Sequence, residues 1–346
     1  MRERTQFFIT LAVIVFLLSC CIILYFCYQD LYRTGKIVST DEREFNAVIG
    51  RHFKFDSVII GTSMSENFKC SEFDKITGGY SQKMTVSGGH ISEIAFIARY
   101  ALKHQKIKTV LSDIMVRSFI LDDSCFKLPL GSYEDSISLP NRICDALSLG
   151  TIFRNLKNLS KNKDFDRDKN YSWAGLAPCG MKYFSKYMIE KKDVWKSFVL
   201  DLKKYNANDV QNRIDKYLVS LIREHPEVTF YIYLPPYSAM EFAFSTKTYV
   251  DFRKSVMDAL LQFNNVKLYD FQSEENIIFD FNNYKDTYHY SAKISSYIVA
   301  QFSGDKYLVT ADNRMEFEKK FNQVINKFDQ KKAFFELRKY YENRGK

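Results

Sequence analysis

The chain has 346 residues, of which 46% are hydrophobic and 26% are charged. These fractions are close to those of an average globular protein, which excludes collagen-like, coiled-coil and low-complexity chains and disfavours general disorder. The 50 lysines and arginines outnumber the 41 aspartates and glutamates, for a formal net charge of +9. No nucleic-acid-binding motif accompanies this modest excess, so we expect no nucleic-acid partner.

The first predicted element is an apolar helix near the N-terminus. Residues 7–28 contain no charge, proline or glycine. At about 1.5 Å of rise per residue, a helix of this length crosses about 30 Å of hydrocarbon. A cleaved signal peptide has a shorter apolar core and a small-residue exit, and a buried core helix is rarely apolar on every face. We therefore predict an uncleaved transmembrane anchor.

The orientation of this anchor follows less directly, because basic residues lie on both sides of it. We expect residues 1–6 to be cytoplasmic, 29–50 to be a juxtamembrane segment and the main domain to lie outside the cytoplasm. A disulfide between Cys125 and Cys144 is compatible with that location. Ordinary buried thiols are the favoured alternative, since a domain of this size needs no covalent staple.

The remainder of the chain alternates short β-branched runs with longer helical ones. The run over 56–61 is apolar and ends in glycine, which is typical of a buried parallel strand. This alternation predicts a doubly wound α/β domain with a mostly parallel sheet. Further strands are predicted over 84–89, 107–115, 228–234 and 266–271, and helices over 91–104, 210–223 and 246–263.

No repeat and no linker rich in proline, glycine or serine divides this part, so we expect one domain over 51–312. The stretch from about 122 to 194 does not follow the strand–helix rhythm. We interpret it as an insertion or lid over one edge of the sheet.

The last segment, 313–346, carries apolar residues at helical spacing and an excess of basic ones. The spacing predicts one long amphipathic helix. Near an anionic membrane, such a helix could lie on the surface or steer a polyanionic substrate. The alternative is that its apolar face packs on the domain and its charges face solvent.

The residues just after the predicted strands are those that could carry chemistry, because ligands of open α/β sheets bind beyond the carboxyl ends of the strands. Ser63 follows the first strand, Gly88 and Gly89 follow the second, and Asp286 and His289 lie on the loop after the fifth. A serine, a carboxylate and an imidazole in this chain order match a triad of the order Ser, Asp, His. Ser63 would be the nucleophile, His289 its base and Asp286 the group that orients the imidazole.

Each of these residues also has a purely structural interpretation. Ser63 could cap a helix, and Ser65 is a rival nucleophile two residues later. The glycine pair could serve only to allow positive φ, and the loop with the histidine could be an ordinary turn. We assign no role to His90. The order of the three blocks on successive strand ends favours the functional interpretation.

At these positions the sequence resembles the SGNH, or GDSL-like, hydrolase superfamily. In that family a Gly-x-Ser block follows the first strand, a second block gives a glycine N–H to the oxyanion hole, and an Asp-x-x-His block completes the triad. Gly61-Thr62-Ser63, Gly88 or Gly89, and Asp286-Thr-Tyr-His289 match these blocks. The resemblance spans about 56–302 and implies a flavodoxin-like sheet with flanking helices. It looks closest to the membrane-anchored branch associated with teichoic-acid and exopolysaccharide acylation.

One block of the family is missing. Secreted esterases carry a Gly-x-Asn-Asp block whose asparagine donates to the oxyanion, whereas Leu111-Ser-Asp-Ile-Met115 stands near the third strand here. One such donor is worth about 3 kcal/mol of transition-state stabilisation. Its absence supports an alternative from another class, a non-catalytic SGNH-like binding or assembly factor in envelope polymer biosynthesis.

The resemblance implies a serine-dependent O-acyltransferase or esterase that acts on acyl esters of a cell-surface polysaccharide or related envelope polymer. Transfer through an acyl-serine is preferred, with the N–H groups of Ser63 and of Gly88 or Gly89 holding the oxyanion. The implied partners are that polymer, membrane lipid and a polytopic membrane acyltransferase. We expect no cofactor and no metal, because the sequence has no matching motif.

Overall fold

The computed structural model describes residues 2–33, 42–120, 124, 126–128, 130–133 and 165–344. The chain divides into two compact units, one made of 1–53 and 129–166 and the other of 54–128 and 167–346. Cys125 and Cys144 lie outside the described residues, as does 134–164 of the predicted insertion.

The second unit is built on a six-stranded sheet with the order β2-β1-β3-β4-β5-β6. The first five strands in this order run parallel, and β6 pairs antiparallel with β5. The predicted mixed α/β class with a mostly parallel sheet is therefore confirmed, although β6 was not predicted. The strands are β1 Ser57–Ile60, β2 Ser81–Lys83, β3 Thr109–Asp113, β4 Thr229–Leu234, β5 Val266–Asp270 and β6 Leu308–Val309.

Helices flank this sheet and connect its parallel strands. The helix predicted over 210–223 contains a π-helical turn, Ile214–Val219, between two α-helical parts. The helices are α1 Arg2–Arg33, α2 Glu42–His52, α3 Cys70–Thr77, α4 Ile91–His104, α5 Val116–Ile120, α6 Leu130–Tyr133, α7 Met181–Glu190, α8 Lys192–Lys203, α9 Ala207–Arg213, α10 Ser220–Glu224, α11 Ala239–Phe244, α12 Thr246–Leu260, α13 Glu275–Ile278, α14 Ala292–Gln301, α15 Arg314–Asn326 and α16 Gln330–Arg344.

The first unit contains the N-terminal apolar helix. Helix α1 has 32 residues, and its segment Arg4–Cys21 is long and apolar enough to cross a membrane. The predicted apolar helix is thus present. In α2 the side chain of Phe45 is buried and its ring lies 6.0 Å from that of Phe165.

The second strand lies earlier in the chain than the predicted 84–89. Ser81–Lys83 forms the ladder with β1, but the N–H groups of Met84 and Val86 still donate to the carbonyls of Ile59 and Gly61 at 2.8 Å. The chain therefore stays beside β1 as far as Val86, which brings the following glycine turn next to the turn after β1.

The C-terminal segment differs from the single long helix that its spacing predicts. It forms two helices, α15 and α16, and the Asp329 carboxylate accepts a hydrogen bond from Lys332 N at 2.9 Å at the start of the second. Such a local side-chain cap competes with continuation of the first helix. Phe321, Val324 and Leu337 are buried, so the apolar face packs on the domain.

Candidate active site

The turn after β1 is held against the end of β3. Gly61 has a φ of 119°, and a Cβ at this position would overlap the carboxylate of Asp113. Thr62 donates its N–H to Asp113 Oδ1 at 2.7 Å and its hydroxyl to Oδ2 at 2.9 Å. Only a glycine permits both this φ and this close approach. The turn therefore presents Ser63 at the carboxyl edge of the sheet.

Asp113 and its partners form a buried hydrogen-bond network beneath this turn. Ser65 Oγ donates to Asp113 Oδ1 at 2.7 Å and lies 3.2 Å from the hydroxyl of Tyr233. Burial raises the pKa of Asp113, against the opposing effect of hydrogen bonds from Ser65 and Thr62. Ser65, the rival nucleophile, is fully buried and is used to hold the turn.

The structure brings the three predicted triad residues together. Ser63 Oγ lies 2.8 Å from His289 Nε2, and His289 Nδ1 lies 2.8 Å from Asp286 Oδ2. Ser63 is 8% exposed. The hydroxyl and imidazole come from segments 226 positions apart, and the contact between them cannot be local. This is the hydrogen-bond chain that nucleophile activation by a histidine requires.

The contacts of Asp286 favour its ionised form. It accepts hydrogen bonds from the N–H groups of Tyr288 at 3.0 Å and His289 at 2.8 Å in addition to the imidazole contact. Burial alone would raise its pKa, but the positive charge that His289 carries when protonated and these hydrogen bonds outweigh burial and lower the pKa of Asp286. The ionised carboxylate accepts a hydrogen bond from Nδ1–H of the neutral imidazole. Nε2 is then unprotonated and can accept a proton from the serine.

The loop that carries this pair is tied to the chain after β4. Ser238 donates both its N–H, at 3.1 Å, and its hydroxyl, at 3.0 Å, to the carbonyl of Thr287. Tyr284 donates its hydroxyl to the carbonyl of Pro236 at 2.8 Å and forms an antiparallel bridge with Tyr290. The base of the loop is thus closed, which limits the positions open to the imidazole.

The two glycines predicted to contribute to the oxyanion hole differ in their surroundings. Gly88 has a φ of 62° and is exposed. Gly89 donates its N–H to the carbonyl of Val86 at 2.9 Å, so this N–H is already used. Within the described part of the chain, no acceptor pairs with the N–H of Gly88 or of Ser63. His90 caps α4, with its Nδ1 accepting from Ser92 N at 3.2 Å.

Trp173 is a site residue that the sequence did not reveal. Its Nε1 donates to the carbonyl of Ser63 at 3.1 Å, and its ring meets the ring of His289 edge-on at 5.6 Å. The ammonium of Lys285 lies 4.5 Å from the centre of the same indole. The only sequence signal was that this is one of two tryptophans and lies in the predicted insertion. Among the described residues, no group of three or more His, Cys, Asp or Glu side chains could hold a metal ion.

Comparison with known proteins gives little beyond this geometry. No protein-family model matches the chain, and no curated protein matches it in sequence. Among solved structures, one described as a candidate platelet activating factor from Streptococcus pneumoniae is similar to this chain. It is 8% identical, with a TM-score of 0.39, over 84% of this chain and 96% of that chain. A match this distant carries no argument about the site.

Proposed function

We propose that the chain is a membrane-anchored SGNH-like protein that acts on acyl esters of a cell-surface polysaccharide or related envelope polymer. The observation that supports it is the hydrogen-bonded chain from Ser63 through His289 to Asp286. It stands at the carboxyl edge of a parallel sheet, as the doubly wound flavodoxin-like fold of that superfamily would require. The proposed reaction is O-acyl transfer through an acyl-serine.

In the first half of the proposed reaction, Ser63 Oγ attacks the carbonyl carbon of the ester and its proton passes to His289 Nε2. Asp286 stabilises the imidazolium that results. The tetrahedral oxyanion accepts hydrogen bonds from the N–H groups of Ser63 and Gly88, since the N–H of Gly89 is already used. Collapse breaks the bond to the leaving oxygen, which takes the proton from His289 and leaves the acyl group on Ser63.

In the second half, the acyl group leaves Ser63 for an acceptor. A sugar hydroxyl gives its proton to His289 Nε2 and attacks the acyl-serine, and Ser63 regains the proton as the new ester forms. Water in place of the sugar gives hydrolysis. An apolar N-terminal helix would keep the site near membrane-borne acyl donors, such as those supplied by a polytopic membrane acyltransferase, which favours transfer.

The second candidate function is a non-catalytic SGNH-like binding or assembly factor. The missing asparagine block favours it, because the oxyanion site then has one donor fewer than that of secreted esterases. The bonded N–H of Gly89 also leaves only Gly88 of the glycine pair as a donor. Each missing donor costs about 3 kcal/mol of transition-state stabilisation.

Labelling by a fluorophosphonate separates the two candidates. The full-length protein is purified in detergent and compared with Ser63→Ala and with Ser197→Ala, which removes an exposed hydroxyl of α8. We expect labelling of the wild type and of Ser197→Ala, a labelled peptide containing Ser63, and none in Ser63→Ala. A folded wild-type protein that takes no label, with Ser63→Ala fully functional in cells, would favour the binding factor.

A further inference from the structure

A lysine and a tryptophan that the proposed reaction does not use lie beside the Ser–His pair. From the contacts of Trp173 and Lys285 we infer that they form a subsite for an anionic group of the polymer, a carboxylate or a phosphate, next to the ester that reacts. The inference rests on the proposed function and adds the class of substrate: an acidic rather than a neutral glycan.

The indole of Trp173 is fixed in place from two sides. Its Nε1–H donates to the carbonyl of Ser63 at 3.1 Å, and its ring stands at 87° to the ring of His289. The side chain is only half-buried. A ring held in this way contacts whatever occupies the space next to the nucleophile, at little cost in conformational entropy.

The segment that carries this indole is anchored at both ends. Asn67 Oδ1 accepts from Ser172 Oγ and from Ala174 N, both at 3.0 Å. Further along, Gly180 N donates to the carbonyl of Tyr284 at 2.9 Å. The segment therefore spans from the nucleophile side of the site to the loop that carries the base, which places Trp173 against Lys285.

Lys285 carries a charge that no direct ion pair neutralises. Its ammonium lies over the indole at 4.5 Å, and in the described residues it forms no ion pair. It precedes Asp286, but the carboxylate of Asp286 is occupied by His289 and two backbone N–H groups. The lysine acts on it only at longer range, where it helps to lower the pKa of Asp286.

This combination suits one kind of ligand. The apolar face of an indole packs against the C–H face of a sugar ring, and a lysine ammonium binds a carboxylate or phosphate as a point charge with three donors. A neutral glycan would pack against the indole of Trp173 but would leave the ammonium of Lys285 without an anionic partner. The uronate of an acidic polysaccharide and the phosphodiester of a polyol-phosphate polymer share the chemistry that would use both.

Binding can be measured without any reaction, through the fluorescence of Trp173. The full-length protein carries Ser63→Ala, which prevents turnover, and Trp195→Phe, which leaves Trp173 as the one tryptophan. Phenylalanine at 195 keeps the stacking on Phe244. The probes are oligogalacturonate for the carboxylate, a glycerol-phosphate oligomer for the phosphodiester, and a neutral oligogalactan of equal length.

We expect at least one charged oligomer to change the Trp173 emission and to bind at least fivefold more tightly than the neutral one. Which charged oligomer responds identifies the source of the anion. Lys285→Met should weaken that binding about fivefold, the size expected for one partly exposed charge pair. The control Lys254→Met removes the same charge from the exposed face of α12 and should leave it unchanged.

Equal binding of neutral and charged oligomers, no binding of any oligomer, or equal effects of the two lysine variants would overturn the subsite. These outcomes are distinct from failure of the proposed function. Loss of fluorophosphonate labelling concerns the chemistry of Ser63, whereas the binding experiment is done with Ser63 already replaced.

Discussion

Gly61 is the residue that lets the chain approach the end of β3 closely enough for the Thr62 N–H to reach Asp113. The Gly-x-Ser pattern was visible in the sequence, and so was the Asp-x-x-His pattern, because each is written in adjacent residues. The contact with Asp113 could not be predicted from the sequence, because it depends on the register that places Ile60 opposite Ser112. The sequence therefore predicted which three residues the structure brings together but not what holds Ser63 in place.

Replacement of Gly61 by alanine should be far more harmful than the same change at Gly78. Both glycines have positive φ, at 119° and 69°, but only at Gly61 would a Cβ meet other atoms. Strain from φ alone costs about 1–2 kcal/mol, which is what we expect for Gly78→Ala. Gly61→Ala should lose about 3 kcal/mol or more of unfolding free energy, because it also displaces Asp113.

Urea unfolding followed by circular dichroism measures both variants in the same detergent. Similar midpoints for Gly61→Ala and Gly78→Ala would show that the close approach to Asp113 is not needed.

The elements predicted with the least error are those whose signals are local. Helix α4 has the predicted bounds, 91–104, because its apolar spacing and the cap at His90 lie within a few residues of each other. Strand β2 was misplaced because Ser81–Lys83 is polar, yet buried. Lys83 reaches the carbonyls of Glu66 and Asp168 at 2.9 and 2.8 Å, partners that sequence spacing cannot supply.

Arg253 connects three elements through a buried ion pair and a contact with an aromatic ring. From α12 its guanidinium donates to Asp270 at the end of β5 at 2.7 Å and to Gln272 Oε1 at 2.8 Å. It also lies 4.2 Å from the centre of the Phe321 ring on α15. The side chains of Arg253 and Asp270 are 2% and 0% exposed, so neither charge is solvated by water.

Removal of one partner of this pair should cost more than removal of both charges. Arg253→Met leaves a buried carboxylate unpaired, for which we expect a loss of about 3–5 kcal/mol in unfolding free energy. Adding Asp270→Asn removes that charge but keeps an oxygen that can accept from Gln272 N. The double variant should therefore be more stable than Arg253→Met alone in a thermal or urea unfolding experiment. A double variant that is less stable would contradict this explanation.

At the scale of the whole molecule, helix α1 contains a segment that is long and apolar enough to cross a membrane. The apolar run was evident from composition alone, because a stretch without charge, proline or glycine is a property of the sequence and not of the fold. At the C-terminus, in contrast, the periodicity of the apolar residues could not distinguish two helices from a single long one. The apolar spacing there continues through the break, and the cap at Asp329 is a single residue.

A charged residue at the middle of α1 should release the protein from membranes. We expect the wild-type chain to stay in the membrane pellet after alkaline carbonate washing. Leu17→Arg should shift it toward the soluble fraction, because arginine at the centre of a span costs about 2.5–3.5 kcal/mol. The control Leu200→Arg changes an exposed leucine of α8 and should stay in the pellet. Release of the wild type, or retention of Leu17→Arg to the same extent as the control, would contradict a spanning role for α1.

The measurement that bears most directly on the whole account is the rate at which Ser63 reacts with a fluorophosphonate when His289 is replaced. A histidine acting as general base contributes about 10²- to 10⁴-fold. We expect His289→Gln to react at least about a hundredfold more slowly than the wild type. His225 lies outside the site and contacts Glu227. The control variant His225→Gln should therefore react at the wild-type rate. Equal rates for the wild type and His289→Gln would show that the imidazole 2.8 Å from Ser63 Oγ does not activate it.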